Sequence, residues 1–219
     1  VWWIIHKDLL SEYRARRAWP AMVLMGVLVA LVFSLQMDLL PDQKQQIAGG
    51  LVWLAIFFAG TVAMDRSFAA ERDDGCWDAL TICPVDPAAI FLAKFVANAI
   101  ALAALEAILI PLFTILSGAG FANHPWAMLL VAVLGNLGIA AVGTLLSALS
   151  AGIRHGTSLL VLLLLPLATP VVLAAAEATR LICEESLDPQ FWRWVQLLAG
   201  FAVVFVTAGT VLFGYVVED

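Results

Sequence analysis

Charge is scarce in this sequence. Only 13% of its 219 residues are Asp, Glu, Lys or Arg, about half the share of an ordinary soluble domain. The basic residues number 11 against 17 acidic ones, for a net charge of −6. No basic face exists to track phosphates, so a nucleic-acid partner is not expected. Histidine is limited to His6, His124 and His155. None belongs to an H-x-x-x-H or H-E-x-x-H pair, and all three read as surface or interfacial residues, with His124 in an outer loop kept as the alternative candidate for a substrate or iron contact. Cysteine is limited to Cys76, Cys83 and Cys183. An odd count with no C-x-x-C argues against a disulfide framework or a metal knuckle, and the three read as small apolar filler. The phosphate loop G-x-x-x-x-G-K-[ST] is missing, so any nucleotide chemistry must come from a partner. With neither a paired nucleophile and base nor clustered ligands, no catalytic, cofactor or metal site is expected. The alternating pattern of a membrane barrel is also missing.

What the sequence has in abundance is oil. Hydrophobic residues make up 63% of it, gathered in blocks of roughly 18–25 residues, the length that crosses a bilayer as a helix. Backbone polar groups in lipid must be satisfied internally, so these blocks are expected to be helices. The expected fold is an all-α integral membrane protein with about six transmembrane helices. Residues 1–18 read as an amphipathic interfacial helix, with Trp2, Ile5, Leu9 and Tyr13 on one side and Lys7, Arg14, Arg16 and Arg17 among the polar residues opposite. The first apolar block lacks an A-x-A exit and reads as a retained span rather than a signal peptide. Residues 19–219 read as one transmembrane domain, with a charged loop over 65–87. The spans are placed at about Trp19–Met37, Ile47–Met64, Pro87–Leu116, Trp126–Ser150, Ser158–Ala176 and Pro189–Val216. Asp86-Pro87 and Asp188-Pro189 have the form of a cap followed by a first-turn proline. Pro111 is expected to kink the third span, and Pro166 and Pro170 to break the fifth.

Basic residues in the loops orient the chain. With the N-terminus cytoplasmic, Lys7, Arg14, Arg16, Arg17, Arg66, Arg72, Lys94 and Arg154 lie inside, and only Lys44, Arg180 and Arg193 outside. The expected location is a bacterial inner membrane, with both termini in the cytoplasm. Trp126, Trp192 and Trp194 then mark the outer interface and Trp19 the inner one.

Two features invite function. Glu106 stands in the middle of the third span, where a carboxylate is costly unless paired, protonated or facing water. It reads either as functional or as a hydrogen-bonded strut, with Asn98 or Asn136 as candidate partners. Asn136 lies among Gly135, Gly138 and Gly143, a set that suits close helix packing. The second feature is the inner loop. Phe68, Trp77, Leu80 and Ile82 have the spacing of a short amphipathic helix, amid Asp65, Arg66, Glu71, Arg72, Asp73, Asp74 and Asp78. Gly75 offers a bend, and Pro84 and Pro87 end the segment before the third span. The loop reads either as a docking element for a cytoplasmic protein or as a plain interfacial connection.

At this loop the chain resembles a known family. Asp65-Arg66-Ser67-Phe68, Asp74-Gly75, Leu80, Pro84, Pro87 and Leu92-Ala93-Lys94 match the haem exporter protein B family, the permease subunit of the cytochrome c maturation ABC transporter. Leu165-Pro166-Leu167-Ala168-Thr169-Pro170 in the fifth span is a second match. The likeness runs over nearly the whole chain. It implies an ABC-2-type permease fold without catalysis of its own, and a separate cytoplasmic ATPase that binds ATP. A second copy of the chain, a haem-handling membrane subunit, a small single-span subunit and a periplasmic haem chaperone are the further implied partners, in a lipid membrane. Haem is implied as cargo of the complex, whose ATP hydrolysis releases the haem-loaded chaperone. The W-x-W-D haem signature of the sister subunit is missing, so no cofactor is assigned to this chain. The residues expected to couple it to the ATPase are Asp65, Arg66, Phe68, Glu71, Arg72, Asp74, Gly75, Trp77, Leu80 and Pro84. The alternatives are an assembly subunit that passes no substrate, and an ion-coupled transporter using Glu106.

Overall fold

In the computed structural model, residues 18–36, 41–67, 86–151 and 156–218 are described. The proposed interfacial helix, apart from its last residue, and most of the proposed coupling loop lie outside them. The described residues form six helices and no strand: α1 (Ala18–Gln36), α2 (Pro41–Ser67), α3 (Pro87–Ser117), α4 (Pro125–Ala151), α5 (Gly156–Cys183) and α6 (Pro189–Glu218). Four of them, α3 to α6, are long and apolar enough to cross a membrane. α1 and α2 carry shorter apolar stretches, Pro20–Val32 and Gln46–Val62, among the described residues.

Local chemistry explains the helix ends. Asp86 accepts a hydrogen bond from the Ala88 N–H at 3.0 Å, and Pro87 fills the first turn of α3, where a missing N–H costs nothing. At the other end Gly118 turns left-handed at φ +65°, and its N–H bonds the Thr114 carbonyl. Only glycine takes that conformation without strain. Before α6, Asp188 accepts from the Ser186 hydroxyl at 2.9 Å and offers its carbonyl to the Phe191 N–H.

The structure adjusts three readings. The helix that carries the second span starts at Pro41 and runs to Ser67, around an apolar stretch, Gln46–Val62, that lies where the sequence places it. Asp65 and Arg66 therefore belong to the last turn of α2 rather than to the loop. Polar residues at a span's ends do not stop a helix whose backbone bonds are already propagating. The fifth span runs past Ala176 to Cys183. Its late charges pair along the helix: Arg180 bonds Glu177 at 2.9 Å and Glu184 at 2.7 Å. Finally, Pro166 and Pro170 do not break α5, which is one continuous helix. Thr169 donates its hydroxyl to the Leu165 carbonyl at 2.6 Å between the two prolines. That bond does not replace the two that the prolines withhold, which would have gone to the Leu162 and Pro166 carbonyls, and packing against neighbouring helices supports the weakened ladder. Pro111 likewise lies inside a continuous α3, next to a Thr114 hydroxyl that bonds the Ile110 carbonyl at 2.7 Å.

α4 is the central helix. It holds 72% of its span inside the molecule, against 22% for α6. It packs on α5, α6, α3 and α2, while α1 lies outside against α2 and α3. The α3–α4 and α5–α6 connections meet at one end, where the Asn123 amide donates to Glu185 at 3.2 Å.

Candidate functional site

Several of the polar side chains that the apolar helices enclose, Lys94, Asn98, Glu106, Asn136 and Thr144, belong to α3 and α4. On α3, Lys94, Asn98, Leu102, Leu105, Glu106 and Leu109 are buried on one side, the side that i, i+4 spacing turns inward. At one level the Asn98 amide donates to the Thr144 hydroxyl of α4 at 2.8 Å. Further along, the Asn136 amide of α4 donates to the Ala99 carbonyl at 3.1 Å and to Glu106 Oε2 at 3.3 Å. Glu106 is 5% exposed and Asn136 4%. Of the two partners considered for Glu106, the structure brings Asn136 to it and gives Asn98 to Thr144. Among the described residues Glu106 Oε1 and Asn136 Oδ1 have no hydrogen-bond partner.

These two side chains border an open groove of about 850 Å³ between α3 and α4. Its walls are otherwise almost wholly apolar, from Phe95 and Ala99 at one end to Ile115, Phe121 and Pro125 at the other. A second groove of about 330 Å³ lies between α2 and α5, lined by Leu54, Phe58, Leu165 and Leu173 among others. Unlike the first, it has no buried polar group left without a partner among its lining residues.

The glycines of α4 act on its other sides. A methyl group on Gly135 would strike the indole of Trp53, and one on Gly143 would strike Met64. Both partners belong to α2, so these glycines seat the central helix against it. The same interface is tied by a polar bond from Ser147, which donates to the Met64 carbonyl at 2.6 Å. From α2 the Trp53 indole also reaches α5, donating to Thr179 at 2.9 Å.

Of the residues singled out for coupling, Asp65 and Arg66 lie on the last turn of α2. Phe68, Glu71, Arg72, Asp74, Gly75, Trp77, Leu80 and Pro84 lie outside the described residues. His124 is half-buried in the α3–α4 connection. Among the described residues no cluster of three His, Cys, Asp or Glu side chains is placed to hold a metal ion.

Sequence reasoning missed two features. Lys94, counted as an inner-side cation, is only 4% exposed. Its signal was position, since it stands four residues before Asn98 on the buried face of α3. Thr144 and Thr179 were also passed over, because a lone threonine in an apolar block carries no pattern of its own.

Comparison with known proteins bears on what this seam belongs to. Over 135 residues the chain is 32% identical to a protein of Rhodobacter capsulatus named Heme exporter protein B. A protein of that name from Haemophilus influenzae is 31% identical over 150 residues, 68% of this chain and 67% of the relative. Another, from Pseudomonas aeruginosa, is 27% identical over 195 residues, 89% of this chain and 86% of the relative. The match spans 62% of the length of the Rhodobacter capsulatus protein and 62% of this chain. The broadest match is to a family model described as CcmB protein, which takes in residues 1–218, and the chain thus belongs to the CcmB protein family.

Proposed function

We propose that this chain is the permease subunit of an ABC transporter for haem export in cytochrome c maturation. The observation that carries the reading is the family match over residues 1–218, on a bundle whose sequence holds no nucleotide-binding loop. Energy must then come from a cytoplasmic ATPase partner. The further partners proposed are a second copy of the chain, a haem-handling membrane subunit, a small single-span subunit and the periplasmic haem chaperone that the complex releases. All six helices cross the bacterial inner membrane in this reading, and both termini are cytoplasmic.

The segment from Asp65 to Pro84 is proposed to dock into the ATPase and carry its motion to α2 and α3, the two helices it joins. Phe68, Trp77 and Leu80 would anchor in an apolar groove of the partner, inside a rim of charges that sets orientation. Truncating a buried aromatic anchor costs about 2 kcal/mol or more. Trp77→Ala is therefore expected to weaken ATPase capture far more than Asp73→Ala. Asp74→Ala and Gly75→Val are expected to leave ATP hydrolysis that no longer supports cytochrome c formation. The experiment is a pull-down of the ATPase with each variant, scored with its hydrolysis rate and the c-type cytochrome yield. Full binding and full yield in both Trp77→Ala and Gly75→Val would show the segment to be only a linker.

A second reading, an assembly subunit that passes no substrate, draws on the packing of α4. Its glycine face is filled by Trp53, Val171 and Met64, which leaves the described grooves on the flanks of the bundle rather than through it. A transport assay on reconstituted complex separates the two readings.

A further inference from the structure

We propose that the α3–α4 groove seats a membrane-spanning helix of another subunit, one that brings a hydrogen-bond donor to the level of Glu106. This rests on the permease reading and adds to it the face on which a partner binds.

Three observations converge. The first is length. The groove runs along α3 from Phe95 to Ile115, about 30 Å at the helical rise, which is the thickness of the hydrocarbon core. The second is surface shape. Ala99, Ala103 and Ala107 line it at intervals of four, the small-xxx-small spacing that lets two helix backbones approach. Ala103 and Ala107 are exposed, as are Ile100 and Val133 on the flanking walls. The third is the polar pair. Glu106 and Asn136 border the groove and are buried, yet Glu106 Oε1 and Asn136 Oδ1 lack partners among the described residues. Unsatisfied polar groups at this depth are costly. Glu106 is nine residues from Ile115 and eleven from Phe95, so the pair lies near mid-membrane.

A lipid does not meet that need. Its acyl chains have no donor, and its headgroup stays at the interface. A serine, threonine, asparagine, glutamine, histidine or lysine on a passing helix does meet it, once the Glu106 carboxyl turns about its last torsion, which is soft. The α2–α5 groove has no such orphaned pair and serves as the internal control.

The test uses the full chain in native membranes with its partner subunits. A photocrosslinking residue replaces Ile100 or Val133, and Leu173 in the control groove. The expected result is that both α3–α4 positions capture one identified membrane protein and Leu173 does not. The crosslinked peptide should be an apolar segment of about 20 residues with a donor side chain near its middle. Capture of a second copy of this chain, of lipid alone, or equal capture at Leu173 overturns the proposal. Ala103→Leu fills the groove from its exposed side and is expected to cut the crosslink about fivefold or more. Glu106→Leu is expected to cut it about threefold, the worth of an average interhelical hydrogen bond, whereas Glu106→Gln keeps it. Should Glu106→Leu fail to accumulate, Ala103→Leu still decides, and an unchanged crosslink there sinks the idea. Co-purified ATPase is scored in parallel. A captured helix without any ATPase would leave the docking face standing and overturn the permease reading.

Discussion

Asn136 does two jobs with one amide. It bonds the Ala99 carbonyl and Glu106 Oε2, and so fastens the central helix to α3 where no water competes. Trp53 does similar work from α2, reaching Thr179 on α5. Interhelical hydrogen bonds in membranes are worth about 0.6 kcal/mol on average and up to about 1.7. Asn136→Leu removes two of them and orphans Glu106 further. It is expected to lower stability by about 1–3 kcal/mol, read as an earlier unfolding midpoint in a detergent titration. Trp53→Phe loses the bond to Thr179 and also shrinks a fully buried ring that packs on Gly135, so its expected loss is about 1–3 kcal/mol as well. An Asn136→Leu protein as stable as the parent would show the seam to be held by apolar packing alone.

At the scale of the element, α4 is the helix on which the others close. Its glycines are not equivalent. Gly135 faces the rigid indole of Trp53, and Gly143 faces the flexible end of Met64. Both partners are fully buried, but the Trp53 indole is rigid whereas the unbranched Met64 side chain can change rotamer. Overpacking a filled interior costs about 1–3 kcal/mol. Gly135→Ala is therefore expected toward the upper part of that range and Gly143→Ala toward the lower. Gly50 on α2 has nothing within 4 Å of an added methyl group, and Gly50→Ala should be neutral or gain slightly from helix propensity. Thermal inactivation of the three purified variants checks the order. If Gly143→Ala proves the most damaging, Met64 is pinned, and the account of α4 as seated by Trp53 fails.

At the scale of the whole molecule, the connections alternate between two ends of the bundle. The Asn123–Glu185 bond joins the α3–α4 and α5–α6 connections at one end. Ser147 of α4 reaches Met64 near the close of α2 toward the other. In the proposed orientation the first end lies outside the cell and the second within. A membrane-impermeant thiol reagent on sealed cells tests this. Asn123→Cys should label from outside, and Cys76 and Cys83 only after the membrane is opened. Cys183 is 5% exposed and should stay silent in both conditions. Outside labelling of Cys76 or Cys83 would invert the arrangement.

The sequence alone determined that the chain is helical and oily, roughly where each helix lies, and which family it belongs to. Block length and cap chemistry are local properties, and Asp86-Pro87 carries its helix start within two residues. It also marked Glu106 as anomalous, because a carboxylate in an apolar block stands out without any neighbour in view. The helix limits at Pro41 and Cys183 were not legible, because charge looks like a loop until Arg180 is seen to pair with Glu177 and Glu184 along one helix. The continuity of α5 through Pro166 and Pro170 was hidden for a similar reason: support for a weakened ladder comes from packing. Only the tertiary structure decided that Glu106 meets Asn136 rather than Asn98, that Lys94 is buried, and that Trp53 fits against Gly135. Each of those is a contact between helices distant in the chain. In a bundle that is apolar nearly all round, hydrophobic pattern does not say which face of a helix turns inward. That choice falls to a few polar and small side chains, and their partners are known only once the helices are packed.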